Sequence, residues 1–494
     1  MMYEPEKSDS TIVAVKPANN AAVATVVAER VEPRVGAKGN AQQSHTRRTQ
    51  SRCSVSQRLD RVRNAARQRK REKFTALLHH VSTELLLESF LALKRHAAAG
   101  VDGVTWADYE VHLEQNLQDL HKRVQSGTYR ALPVRRVFIP KADGRQRPLG
   151  IAALEDKIVQ RATVTVLNAI YEEDFLGFSY GFRPQRGQHD ALDALSVAIS
   201  STPVNWILDA DIKGFFDAVD QRWLMRFVEH RIGDERIIRL VRKWLRAGVL
   251  EQEQWQSSDM GTPQGAVISP LLANIYLHYV FDLWVRQWRK REAKGKVVVV
   301  RYADDIVAGF ELEADARLFW DAMRARFEQF GLELHGEKTR LIKFGRFAAA
   351  DRKRRGQGKP ETFTFLGFTF ICGKSRQGKF VLWRKTRADR MRAKLVEIRQ
   401  QMRKRMHDTI PEQGAWLAAV VRGFNAYHAV PTNFRAIGSF RYHVVEIWLK
   451  SLRRRSQKYN LTWERMLKLA AAWLPTPRIL HPWPQQRFAV KHPR

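Results

Sequence analysis

Val297-Val298-Val299-Val300-Arg301-Tyr302-Ala303-Asp304-Asp305-Ile306-Val307 is the stretch on which the reading of this chain turns. β-Branched and apolar residues flank the acidic pair, and Asp suits a tight turn, so the pattern predicts a strand, a turn and a second strand. Two adjacent carboxylates then sit at the tip of a hairpin. Carboxylates on rigid backbone bind hard divalent cations such as Mg²⁺, which prefer oxygen ligands. An Asp-Asp pair is also what an ordinary polar turn contains, so the rest of the chain has to decide.

A second acidic strand lies upstream. Trp206-Ile207-Leu208-Asp209-Ala210-Asp211 runs from apolar residues into acid and is followed by Ile212-Lys213-Gly214-Phe215-Phe216-Asp217. A third carboxylate from this strand would complete a two-metal site with Asp304 and Asp305, one ion activating an attacking hydroxyl and the other stabilising the leaving oxygen. Period-two geometry puts Asp209 and Asp211 on one face, so strand pattern alone does not choose between them. Asp211 is equally suited to cap the next helix.

Composition narrows the partner. The 494 residues allow a large core and two or three domains. A formal charge of +34 implies a polyanion, with nucleic acid ahead of an anionic membrane surface. No apolar run is long enough to span a bilayer and no signal-like segment opens the chain, so a cytoplasmic location and no membrane partner are expected. Cys53 and Cys372 are the only cysteines, which excludes a disulfide framework and a cysteine zinc site. The fifteen His residues show no metal-ligand spacing, and no Gly-x-x-x-x-Gly-Lys-Ser/Thr loop is present to suggest a P-loop ATPase.

The charge is concentrated. Residues 341–494 hold 34 Lys and Arg against 8 Asp and Glu, an excess of 26. The same segment carries Trp383, Trp416, Trp448, Trp463, Trp473 and Trp483, so it reads as a folded basic surface with most tryptophans in its core. Met391, Leu395, Ile398, Met402 and Met406 recur at spacings of three and four, predicting a helix over 387–407 that is apolar on one side and cationic on the other. Residues 1 to about 55 lack periodicity and read as a disordered tail. A helical pattern is expected over 56–95, strands over 134–140 and through Leu149, and a helix over 214–227.

In this order the motifs resemble a reverse transcriptase, and within that family a group II intron-encoded reverse transcriptase/maturase. Arg147-Pro148-Leu149-Gly150-Ile151, Tyr180-Gly181-Phe182-Arg183-Pro184, Asp211 five positions before Phe216, Gly261-Thr262-Pro263-Gln264-Gly265 with Ser269-Pro270-Leu271-Leu272, the Tyr302-Ala303-Asp304-Asp305 hairpin, Gly331-Leu332 with Glu337-Lys338-Thr339, and Phe365-Leu366-Gly367-Phe368 follow one another as in that family. The resemblance runs from about residue 76 to 486. It implies an α+β right-hand polymerase, with fingers and an antiparallel palm over 56–385 and an all-helical thumb and maturase region over 386–490.

The same resemblance selects Asp211, Asp304 and Asp305 as catalytic metal ligands for two Mg²⁺ ions, with Mn²⁺ as a substitute. It assigns Lys141 and Arg147 to the triphosphate of an incoming deoxynucleoside triphosphate, by point charge and by bidentate fork respectively. Phe216 would exclude a 2′-hydroxyl, and Gln264 with Gly265 would line the nascent base-pair pocket. Lys338 would support the palm electrostatically, and Gly367 would admit the primer strand. For Arg183 both a template contact and a structural ion pair are open. Arg422 and the run Arg453-Arg454-Arg455 would bind structured intron RNA, which is recognised by shape, phosphates and 2′-hydroxyls.

Implied partners are an RNA template with its primer, and structured intron RNA. The chain lacks the paired-Cys and His signature of the nuclease domain that some relatives carry. Target-DNA cleavage is therefore not expected of it, and priming would come from a source such as a nascent DNA strand. Three functions fit: a polymerase that is also a maturase, the same polymerase in a phage-defence or CRISPR-associated role, and a non-catalytic RNA-binding splicing factor. Intact Asp211, Asp304, Asp305 and Gln264 argue against the last.

Overall fold

The computed structural model describes residues 55, 57–140, 146–251, 254–256, 260–261, 265–455 and 461–491. The expected N-terminal tail, Lys141 and Gln264 lie outside them. Helices and three antiparallel-rich sheets give the mixed α+β fold expected of the polymerase.

A four-stranded fingers sheet is built from β1 (Val134–Pro140), β2 (Gln146–Ile151), β4 (Val249–Glu251) and β5 (Gln254–Gln256), in the order β2-β1-β4-β5. β1 and β2 pair antiparallel with Ile139 opposite Arg147, while β1 and β4 run parallel. The palm sheet contains β3 (Trp206–Asp211), β6 (Val297–Tyr302), β7 (Asp305–Phe310) and β8 (Arg340–Lys343), in the order β6-β7-β3-β8, all antiparallel. Val297 to Val300 are all buried, because the helix Gln188–Ser201 packs against β6. The helix Glu313–Glu328 packs on β3 and β7. A third sheet of β9 (Phe363–Phe365), β10 (Phe368–Lys374) and β11 (Phe380–Thr386) follows.

Two helical expectations are corrected. The predicted 56–95 helix is interrupted: helical backbone reaches residue 68 and resumes as a 3₁₀ turn at Leu78–His80 and a helix at Thr83–Leu91. At the break, buried Arg231 donates to the carbonyls of Ala66, Arg69 and Glu72, holding the non-helical stretch after the first helix in place. The stripe Leu77, Leu78, Val81, Leu85, Leu86 and Phe90 is nonetheless buried. The predicted 214–227 helix is two, Phe215–Ala218 and Gln221–Arg231, because Asp220 accepts from the Arg222 and Trp223 N–H groups as an N-cap.

The helices Ala388–Lys404, Ile410–His428, Phe434–Arg453 and Trp463–Trp473 enclose a second apolar core separate from the first. Ile398 and Met402 of the cationic helix are buried in it. Trp448 is wholly buried and donates its indole N–H to Gln413 at 2.9 Å. The other tryptophans depart from the core expectation. Trp416, Trp463 and Trp473 pack only partly buried at its edge, Trp383 is half-buried under Lys385, and Trp483 is exposed.

This region is tied back to the fingers and palm core. Arg487 pairs with Asp193 at 3.2 Å, beside the Arg384 of β11 that also holds that acid, and the helix Pro484–Lys491 lies on Gln188–Ser201.

Candidate active site

β6 ends at Tyr302 and β7 begins at Asp305, so Ala303 and Asp304 form a two-residue turn. Strand register sets Asp211, the last residue of β3, opposite Asp305, the first of β7. Three carboxylates therefore meet at one end of the palm sheet. Asp209 sits one pleat deeper, opposite Val307 and Arg340, with the Arg340 guanidinium 3.9 Å away. Strand periodicity puts Asp209 and Asp211 on one face; register puts Asp211, and not Asp209, beside the turn.

The electrostatics are those of crowded like charges. The Asp305 carboxyl is pushed up to about 7, first by the protein that displaces water around it and then by Asp304, Asp211 and Asp209, with Arg390 opposing. Asp209 is pushed up to about 6, by burial first, against the attraction of Arg340. Lys338 donates to Asp211 Oδ2 at 2.7 Å. His335 N–H donates to the Asp211 carbonyl at 2.8 Å, so the 335–339 turn is fastened to the end of β3 and brings Lys338 to the cluster.

Carboxylates that are both partly desolvated and close to one another fit a divalent cation, which offsets their charge and accepts oxygen donors. Among the described residues no three acidic, His or Cys side chains form a ready-made ligand cage.

Other expected residues fall as follows. Phe216 is half-buried and meets the wholly packed Phe215 edge-on. Gly261 packs against its backbone: a Cβ there would lie 2.8 Å from the Phe216 carbonyl. Gly265, at φ +107°, lies where a Cβ would be 2.3 Å from the Gly150 carbonyl, docking the loop on β2. Gly367 follows Leu366 at φ +80° and +45°, so the β9–β10 turn itself requires glycine there, and a Cβ would meet nothing closer than Tyr427 at 3.6 Å.

Arg183 is a correction. Its guanidinium is buried, grips both Glu172 oxygens and donates to the Leu176 and Ser179 carbonyls at 2.8 Å. Every arm of the fork is used inside the protein, so it braces the 180–186 loop and offers nothing to RNA. The side chains of Arg422 and Arg454 are exposed and make no hydrogen bond or ion pair among the described residues. Arg453 and Arg455 also reach solvent, yet they donate to the Leu461 and Asp408 carbonyls.

Sequence reasoning missed three features. Arg390, on the thumb-like helix Ala388–Lys404, extends its charge to Asp305. Phe182, at φ +58° and largely exposed, stands 6.3 Å from the Tyr302 ring. Arg301, inside the motif itself, is completely buried against Asp282. For Arg301 the only signal was a charge between four valines and an aromatic.

This fold and carboxylate arrangement define a nucleic-acid polymerase of the right-hand type, and comparison supplies the family. Residues 139–370 match the family model described as reverse transcriptase (RNA-dependent DNA polymerase). The chain is 34% identical to Protein YkfC of Escherichia coli K12 over 323 residues, covering 58% of this chain and 80% of that protein. It is 35% identical over 243 residues to the group II intron-encoded protein LtrA of Lactococcus lactis, spanning 48% of this chain and 40% of LtrA. A 91 kDa protein in a cob intron of Schizosaccharomyces pombe is 42% identical over 181 residues, 37% of this chain and 22% of that protein. The chain belongs to the group II intron-encoded reverse transcriptase/maturase family, whose enzyme class is RNA-directed DNA polymerase.

Proposed function

We propose that this protein synthesises cDNA on an RNA template by two-metal nucleotidyl transfer, and that its helical C-terminal region binds structured intron RNA to assist splicing and mobility. The observation that carries the first part is the register that sets Asp211 against Asp305 beside Asp304. Asp211, Asp304 and Asp305 would hold Mg²⁺, which when bound activates the primer 3′-hydroxyl and stabilises the leaving oxygen. The chain's own residues do the rest. The antiparallel sheet fixes the spacing of the carboxylates, Lys338 offsets their charge, and half-buried Phe216 borders the sugar. Positioning and charge stabilisation suffice for phosphoryl chemistry, and no covalent nucleophile is needed.

The second part rests on the basic excess after residue 340 together with exposed Arg422 and Arg454. It also rests on relatives named for introns, of which this chain spans less than half.

Primer extension on an RNA template tests the first part. Asp304→Ala with Asp305→Ala should abolish cDNA synthesis in Mg²⁺ while RNA binding persists, and polymerisation by that double variant would refute the assignment. Salt-dependent binding of intron RNA and a scrambled RNA of matched length tests the second. Equal affinity at every salt concentration would remove the maturase reading.

A further inference from the structure

Asn274, Asp282 and Arg301 are buried beside the carboxylate cluster and take no part in the chemistry described above. An irregularity delivers them. The helices Ser269–Leu277 and Leu283–Arg291 are joined through a π turn at His278–Asp282, where the Leu283 N–H bonds to the His278 carbonyl. In an uninterrupted α-helix, residues eight apart such as Asn274 and Asp282 would point about 80° apart. The additional residue of a π turn gives Asp282 the rotation of a seventh residue, within about 20° of Asn274. Both side chains then face β6.

They meet at Arg301. Its Nε and Nη2 donate to Asp282 Oδ1 and Oδ2 at 2.7 and 2.6 Å. Nη1 donates to Asn274 Oδ1 at 3.1 Å and to the carbonyl of Ala303 at 3.0 Å. Ala303 is the first residue of the catalytic turn and has φ +56°, a conformation that L-residues adopt only when their surroundings impose it. Asn274 Nδ2 also donates to the Gly181 carbonyl at 2.7 Å. Gly181 lies so close to the turn that a Cβ would be 2.3 Å from the Ala303 nitrogen. The turn is thus held from one side by backbone contact and from the other by the guanidinium.

We propose that Arg301, oriented by Asp282 and Asn274, is a positioning residue that holds the Ala303–Asp304 turn in its strained form and so sets where Asp304 stands relative to Asp211 and Asp305. This rests on the reading of Asp304 as a metal ligand. A buried ion pair is not needed for stability, since apolar residues of similar volume often replace one without loss. What an apolar pair cannot supply is the donor to the Ala303 carbonyl.

The test is primer extension by the full chain across a Mg²⁺ titration, with thermal melting and RNA binding alongside. Arg301→Met with Asp282→Leu should fold and bind RNA as the wild type does. Its kcat should fall by up to about 10²-fold, the cost of a displacement of about 1 Å, with KM for primer-template unchanged and a several-fold higher Mg²⁺ requirement. Arg301→Lys keeps the charge near Asp282 but not the fork that spans to Ala303, and should show the same split; it decides the matter if the double variant does not fold. Wild-type kcat and Mg²⁺ requirement in either folded variant overturns the proposal, as does a defect confined to KM. Asp304→Asn separates the two readings: if it stays active, the ligand assignment itself is wrong, whereas an inactive Asp304→Asn beside wild-type Arg301 variants sinks only the positioning role.

Discussion

The palm turn and the helical C-terminal region handle like charges in opposite ways. At the turn, burial first and then the neighbouring Asp304 and Asp211 carboxylates push the Asp305 carboxyl up to about 7. Across residues 341–494 a positive excess of 26 is spread out, and the helical part of that stretch carries it on a surface whose apolar side chains form their own core. Crowding creates a site for a small hard cation; spreading creates one for an extended polyanion. A third class of charge belongs to neither, namely guanidinium groups such as Arg183, Arg231 and Arg301, which are sealed inside and fully paired. Net charge counts all three alike.

Removing charge from the turn gives the largest expected effect. Asp305→Asn should lower primer extension in Mg²⁺ by at least about 10³-fold, the scale of metal stabilisation lost. The metal-free protein should melt no lower than wild type, because a repulsion has been relieved. A lower melting temperature would show that the crowding is not a native-state cost.

Next comes the sealed class. Arg183→Ala should destabilise by about 3–5 kcal/mol in chemical denaturation, since it leaves Glu172 and two carbonyls without their donor. RNA affinity of the remaining folded protein should be unchanged, and a selective loss of template binding would return Arg183 to the RNA-facing group.

On the spread surface, Arg422→Gln with Arg454→Gln should weaken RNA binding by about tenfold and shallow the salt dependence by about one to two contacts' worth. Single-nucleotide extension on saturating primer-template should be unaffected.

The smallest effect is graded by pH. The folded, metal-free pKa of Asp305 lies above that of a free carboxyl, so the proton-bound form is favoured below about 7 and the repulsive cost grows as pH rises through it. Cation binding displaces that proton, so Mn²⁺ or Mg²⁺ affinity by titration calorimetry should weaken by at most about tenfold per pH unit below 7 and level off above it. A flat profile between pH 5.5 and 8 would contradict the crowding.

Much of this was legible in sequence because it is local. The valine run, the Asp-Asp turn and the apolar strand ending in Asp211 follow from period-two patterning and turn chemistry. Position in space was not legible. Strand pattern could not separate Asp209 from Asp211, since the difference is which residue ends beside the turn. Arg183 could not be told from an RNA ligand, because its partners Glu172, Leu176 and Ser179 are close in sequence yet meet it only through the bend of the loop. The stretch after the break in the first helix is held by Arg231, more than 150 residues away. The π turn at His278–Asp282 has no composition of its own; it shows in the bond from the Leu283 N–H to the His278 carbonyl and in the common facing of Asn274 and Asp282.

Asp193 carries a consequence for how the molecule assembles. Its carboxylate is neutralised by Arg384, 191 residues further along, and by Arg487 beyond that. Such a contact closes a very long loop, whose entropic cost is met before the contact gives anything back. While a ribosome is still making the helical region, this buried acid can have Arg384 of β11 but not yet Arg487. That corner of the palm therefore matures late, after the helices that will clasp it, and a nascent chain holds an unfinished polymerase until residues near 487 have been added.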